Sequence, residues 1–229
     1  MRASRSAFTL CRALALMLAL VSSSARAQDG PADVLFGRPH LSGLPSGSEV
    51  TYRLERRPSD TARLGEPFSD DIKLVVRSVA ASGGRDVDLR IFTGPRGREV
   101  DGITGVTGNP LLVIFLDRAV SDMVRLTGGK APYFKDRLRA GLRDKATTEV
   151  ARVEFGGKTL DAVRITVRPF IDDANAARML GYEGTRFEFL VADGAPGMLL
   201  EMTASYVSTM PDAPRLDERI VLTSWSAKP

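Results

Sequence analysis

One cysteine and one histidine in 229 residues leave little of the usual catalytic vocabulary. Cys11 stands in a stretch read below as removable, so the remaining chain has neither disulfide nor thiol and its core must hold by packing alone. Zinc sites of the Cys/His kind are excluded by the same count. His40 lies in a Pro/Gly-rich segment, and a Ser-His-Asp triad would have no other base to use. No Gly-x-Ser-x-Gly elbow occurs, and no Ser-x-x-Lys occurs beyond residue 27. Long apolar runs are scarce too. Ala13 to Val21 is nine residues, about half of the roughly 20 that a membrane-spanning helix needs, and no later segment comes closer.

That short run has a different use. Arg2, Arg5 and Arg12 precede it, and Ala25 and Ala27 supply small residues at the two cleavage-specifying positions, the pattern of a secretory signal peptide over residues 1–27. Cys11 precedes the apolar run and follows bulky Leu10, which argues against a lipid anchor. The expected product begins at Gln28, in the periplasm or secreted. Cleavage removes four arginines and no acid, so the formal charge of +4 falls to zero. Binding to nucleic acid through overall charge thereby loses its support.

Carboxylates are what remains for chemistry. Asp70-Asp71, Asp86 with Asp88, and Asp172-Asp173 are the acidic pairs. Asp86 and Asp88 share one strand face and are suited to a hard cation, but Arg90 stands where a third ligand is needed, and solvated strand-edge charge is the better reading. A glycosidase-type pair among Glu188, Glu201 and other strand carboxylates stays formally open. Neither a metal nor a cofactor is expected, and no catalytic residue is assigned.

Past Gln28 the chain divides in two. Residues 28–48 carry three prolines and four glycines with little periodicity and read as an extended lead-in. Strict alternation starts at Val50, Tyr52 and Leu54, and residues 49–229 read as a single domain. The same period of two recurs at Ile72 to Val76, Val87 to Ile91, Ala151 to Phe155, Val163 to Val167, Phe187 to Val191, Leu200 to Tyr206, and Leu216 to Trp225. Eight strands with one polar face predict an α+β fold, a curved antiparallel sheet wet on one side.

The dry side needs a cover, and residues 109–144 supply one as an inserted helical hairpin. Asn109 is a good N-cap, Pro110 occupies the favoured first helical position, and Gly128-Gly129 stops the first helix. The second runs from about Ala131 to Asp144, with Phe134, Leu138 and Leu142 as its apolar edge. Residues 111–116 are apolar all round. As a helix, that end is either deeply buried or faces a ligand or partner, and a buried strand is the alternative. From Arg125 to Lys145 there are seven basic residues against two acidic, and Lys135, Arg139 and Arg143 make a stripe at helical spacing. The stripe suits anionic headgroups or an acidic partner, and equally a solvated face whose long stems shield apolar surface.

A one-faced antiparallel sheet over roughly Val50 to Trp225, with a helical insertion and no cysteine, resembles the half-barrel of the LolA/LolB lipoprotein-carrier superfamily in layout; it is also similar in style to exported bacterial proteins of unassigned activity. The resemblance implies a cavity between sheet and helices that accepts acyl chains, lined here by Leu112, Phe115, Leu116, Met123, Phe187 and Phe189. The expectation is then an exported non-enzymatic binding protein carrying a lipid or other hydrophobic ligand, with peripheral membrane contact through Lys135, Arg139 and Arg143. A cell-envelope interaction or scaffold protein, bound to an envelope partner, and a carboxylate-based hydrolase are the competing classes.

Overall fold

A computed structural model describes residues 29–227, so the signal-peptide reading lies outside the described residues. Nine strands form one antiparallel sheet: β1 Ser48–Pro58, β2 Phe68–Val79, β3 Arg85–Ile91, β4 Arg98–Val106, β5 Thr147–Phe155, β6 Lys158–Val167, β7 Arg186–Val191, β8 Leu199–Tyr206 and β9 Leu216–Ala227. Their spatial order is β4-β3-β2-β1-β9-β8-β7-β6-β5. The chain therefore makes two meanders that meet at a central seam, where β1 pairs with β9. Three α-helices accompany the sheet: a short α1 Thr61–Leu64, then α2 Pro110–Thr127 and α3 Ala131–Asp144. This is the α+β antiparallel sheet read from the alternation, in the half-barrel layout that the resemblance implies, with one strand more than expected.

The additional strand is β4, and its chemistry explains why alternation does not reveal it. Val100, Ile103 and Val106 pair with Leu89, Val87 and Arg85, so three residues of β4 match two of β3 at each step. Gly102 and Gly105 absorb the extra residues at φ of 74° and 66°, a left-handed backbone that costs glycine little. Two bulges have turned a period of two into a period of three. Asp88 accepts the Gly102 N–H at 2.9 Å and Asp86 accepts the Gly105 N–H at 2.9 Å, so the acidic pair pins the bulges.

Inward positions of the sheet are filled as the pattern predicts. Val50, Tyr52 and Leu54 on β1 face the same side as Ile72, Leu74 and Val76 on β2 and Ile220 and Leu222 on β9, all essentially closed to solvent. The opposite face carries charge in cross-strand pairs, such as Lys73 with Glu49 at 2.8 Å and Arg219 with Glu201 at 2.9 Å.

Residues 110–144 connect β4 to β5, the two edge strands, so the hairpin runs across the dry face from one edge of the sheet to the other. Asn109 caps α2 by accepting the Leu111 N–H at 3.1 Å, and its amide donates to the Tyr52 hydroxyl and the Gly197 carbonyl, both at 2.9 Å. Gly128 ends the helix at φ 72°, its N–H returning to the Val124 carbonyl. Residues 111–116 are thus helix. Leu111, Leu112 and Phe115 face the core, Ile114 and Leu116 are half-buried, and Val113 is 59% exposed. On α3, Phe134, Leu138 and Leu142 are buried as expected.

The segment ahead of β1 is less extended than its composition predicts. Asp33–Gly37 forms a helical turn, further turns follow, and Val34, Leu35, Leu41 and Leu44 enter the core. Apolar side chains at irregular spacing can be buried by turns as well as by regular elements; composition reports only the turns.

Candidate functional site

The residues expected to line a cavity are packed in the closed core. Leu112, Phe115, Met123, Phe187 and Phe189 are each 3% exposed or less, and Leu116 is half-buried. Phe115 meets Phe189 edge-on at 5.6 Å between centroids and Phe187 at 6.4 Å, and the series continues from Phe187 to Phe170 and Phe134. Five of the six are thus closed to solvent, and three of them, Phe115, Phe187 and Phe189, meet ring to ring. Hydrophobicity marks them equally well for a core and for a pocket.

Space lies instead on the flank of the hairpin. A cleft of about 990 Å³ separates α2 from the α1 turn and the ends of β2, β3 and β4. Phe68, Phe92 and Ile114 supply half-buried apolar surface there and Val100 is exposed. Phe92 holds φ at 66°, which costs a bulky residue about 1–3 kcal/mol. Its N–H donates to the Asp71 carbonyl at 2.9 Å, and its ring stands edge-on to Phe68 at 5.6 Å. Two guanidiniums cover these rings, Arg96 at 4.7 Å from Phe68 and Arg118 at 5.7 Å from Phe92.

The inner end of the cleft is a buried ion network. Arg56 sits on the dry face of β1, opposite Glu218 of β9 in the strand register. It donates to both carboxylate oxygens of Asp122 on α2, at 2.9 and 3.0 Å, and to Glu218. Arg118 donates to Glu218 from the cleft side. Burial works against the Arg56 charge, but its bonds to Asp122 and Glu218 hold its pKa above the ordinary arginine value. Burial pushes the Asp122 carboxyl upward, with Arg56 pulling back. Tyr206 lies within this field, its hydroxyl buried without a hydrogen-bond partner among the described residues, and burial raises its pKa far above normal. Two positive and two negative groups tie α2 to both sides of the central seam.

The other sequence candidates have local partners. Lys135 meets Asp117 at 3.0 Å, Arg139 meets Asp136 at 3.2 Å and Arg143 meets Asp144 at 2.8 Å, so each member of the basic stripe carries an adjacent carboxylate. Asp70 is buried, which alone would raise its pKa, yet bonds from Thr93 and the Asp71 N–H hold it below the usual carboxylate range. Asp173 accepts from the Tyr133 hydroxyl and from the Asn175 N–H. Glu188 is bonded to Arg186 and Glu201 to Arg219, on the wet face.

His40 is buried with the ring fixed at both nitrogens. Nε2 is 2.8 Å from the Val34 carbonyl and Nδ1 is 3.4 Å from the Asn109 N–H, so the neutral tautomer protonated at Nε2 fits both neighbours. A second proton at Nδ1 would face another donor. Burial lowers the His40 pKa accordingly. The unfolded chain takes up that proton near pH 6.5 and the folded chain only below it, so stability falls as pH drops below about 6.5. Urea midpoints measured from pH 7.5 to 5 are expected to decline in the wild type and to decline less in His40→Gln. Equal slopes for the two proteins would remove His40 from the account.

Cleft residues escaped sequence reasoning, apart from the α2 positions that were read for other reasons. One signal was available: alternation carried along β1 from Leu54 places Arg56 on the dry face, where a charge demands a partner.

No family model and no curated protein matches the chain. Among solved structures, it is similar to one of the Pseudomonas aeruginosa MucA/MucB complex, with 14% identity and a TM-score of 0.39 over 87% of this chain. It spans 58% of the length of that chain. It is also similar to the Mycobacterium tuberculosis lipoprotein LppX, with 11% identity and a TM-score of 0.36, over 87% of this chain and 94% of the other. The layout is described by this chain's own architecture, one antiparallel sheet with a helical hairpin across its dry face.

Proposed function

We propose that this chain is an exported, non-enzymatic binding protein that carries a hydrophobic ligand, and that the ligand sits in the cleft flanking α2 rather than between the hairpin and the sheet. The observation that carries this reading is the cleft itself: about 990 Å³, with Phe68, Phe92 and Ile114 presenting apolar surface to it. Ligand pockets of roughly 300–1,000 Å³ with apolar walls and a few polar groups are the usual form of small-molecule sites. Export is supported by the signal pattern of residues 1–27, and no described helix is long and apolar enough to cross a membrane. Peripheral membrane contact through Lys135, Arg139 and Arg143 draws less support, because each has a carboxylate beside it.

Native mass spectrometry of protein purified from its own envelope tests the reading. A bound molecule of a few hundred daltons is expected, retained by the wild type and lost from Ile114→Glu, whose position on α2 is half-buried in the cleft wall. Absence of any bound small molecule, together with failure to bind an environment-sensitive apolar dye, would overturn it. A stable complex with another envelope protein in the same spectrum would favour the scaffold alternative.

A further inference from the structure

The apolar reading of the cleft leaves its charge unused. Arg56, Arg96, Arg98, Arg118 and Arg125 line it, against Glu66, Glu99, Asp117 and Asp122. Most of these groups are already engaged. Asp122 is held by Arg56, Asp117 is 3.0 Å from Lys135, and Glu99 is 3.9 Å from Arg90. On the basic side, Arg118 shares Glu218, and Arg96 lies 3.6 Å from Asp70 while covering Phe68.

Two arginines are left. Among the described residues Arg98 and Arg125 have no carboxylate within the 4.0 Å that defines an ion pair. Arg125 reaches only the Leu64 carbonyl, at 3.5 Å, which is at the limit of a hydrogen bond. They enter from different elements, Arg98 from β4 and Arg125 from α2, and both are exposed. Glu66 is the single lining carboxylate in the same unpaired condition among the described residues, so the unpaired charge of the cleft is positive. Apolar walls of low dielectric constant beside such charges concentrate their field on whatever occupies the space.

Resting on the cleft as the site of a hydrophobic ligand, we propose that the ligand is an amphiphile with an anionic head, its apolar part against Phe68, Phe92 and Ile114 and its head paired with Arg98 and Arg125. Guanidinium forks suit carboxylate and phosphate oxygens alike, because both offer two acceptors at matching spacing. A polyanion is a poorer fit, since the chain past residue 27 has no net charge and only two of the lining arginines are unengaged.

Calorimetric titration with decanoate, decanol and decyltrimethylammonium, each below its micellar concentration, separates head from chain. Wild-type protein is expected to bind decanoate at least tenfold more tightly than decanol and the cation most weakly, with the decanoate advantage shrinking as salt is added. In Arg98→Glu/Arg125→Glu the advantage is expected to vanish while decanol affinity stays unchanged. Arg98→Gln/Arg125→Gln provides the same comparison without charge reversal, and thermal melts establish that either variant is folded. Equal binding of decanoate and decanol by the wild type, or a preference that survives in a folded double variant, overturns the anionic head and leaves the hydrophobic ligand standing. Failure to bind any of the three overturns both readings.

Discussion

Replacing Arg56 by alanine is expected to destabilise the fold by about 3–5 kcal/mol, because it leaves the buried Asp122 carboxylate without a cation and Glu218 with Arg118 alone. Asp122 and Glu218 are 7% and 1% exposed at the side chain, so water cannot take over the role. For a domain whose whole stability is typically about 5–15 kcal/mol, that loss brings the variant close to unfolding. The pair is not for that reason a large net stabiliser. Taking these charges out of water opposes their attraction, and a triple variant Arg56→Met, Asp122→Leu, Glu218→Leu is expected to recover most of the loss. Urea denaturation of the single and triple variants, with the slope checked for constancy, measures both. A single variant within about 1 kcal/mol of wild type would mean that the carboxylates reach solvent or are neutral in the folded chain.

Phe115→Ala carries the second large effect, about 3–5 kcal/mol for a fully packed ring. The ring is 1% exposed and meets Phe187 and Phe189 edge-on, so truncation removes packing and opens a void that its neighbours cannot easily fill. A loss well below that range would mean that the hairpin already stands off the sheet in solution. The same variant bears on where a ligand sits. With the site in the flanking cleft, Phe115→Ala lowers the denaturation midpoint while ligand affinity at low temperature stays near the wild-type value, whereas Ile114→Glu does the reverse.

How far the sequence could be read varied with how local the relevant physics is. The caps of α2 are written in adjacent residues, Asn109-Pro110 and Gly128-Gly129, and each does what its chemistry predicts. Strand periodicity exposed eight strands for the same reason, and failed on β4 because two glycine bulges shift its register at Gly102 and Gly105. The basic stripe looked under-balanced, because a count of charges along α3 includes Asp136 and Asp144 but omits Asp117, which belongs to α2 and reaches Lys135 only once the hairpin closes. The cleft is the extreme case. Phe68, Phe92, Arg98, Ile114 and Arg118 come from β2, the end of β3, β4 and α2, and no spacing rule joins them. Searching for apolar runs instead selected Leu112 and Phe115, whose hydrophobicity is used for packing.

The single seam between β1 and β9 governs how the chain reaches this state. Every other strand pairs with its neighbour in sequence, so most of the sheet assembles from short loops whose closure costs little entropy. Arg56 and Glu218 lie 162 positions apart, so pairing their strands closes the longest loop in the sheet. Non-local pairing of that kind slows folding, since the loss of chain freedom precedes the contacts that reward it. Until the seam closes, β1 and β9 each present an unpaired edge; β9 carries Ile220, Val221, Thr223 and Trp225 there, the kind of surface by which partly folded chains find one another, whereas the charges and Pro58 of β1 blunt its edge.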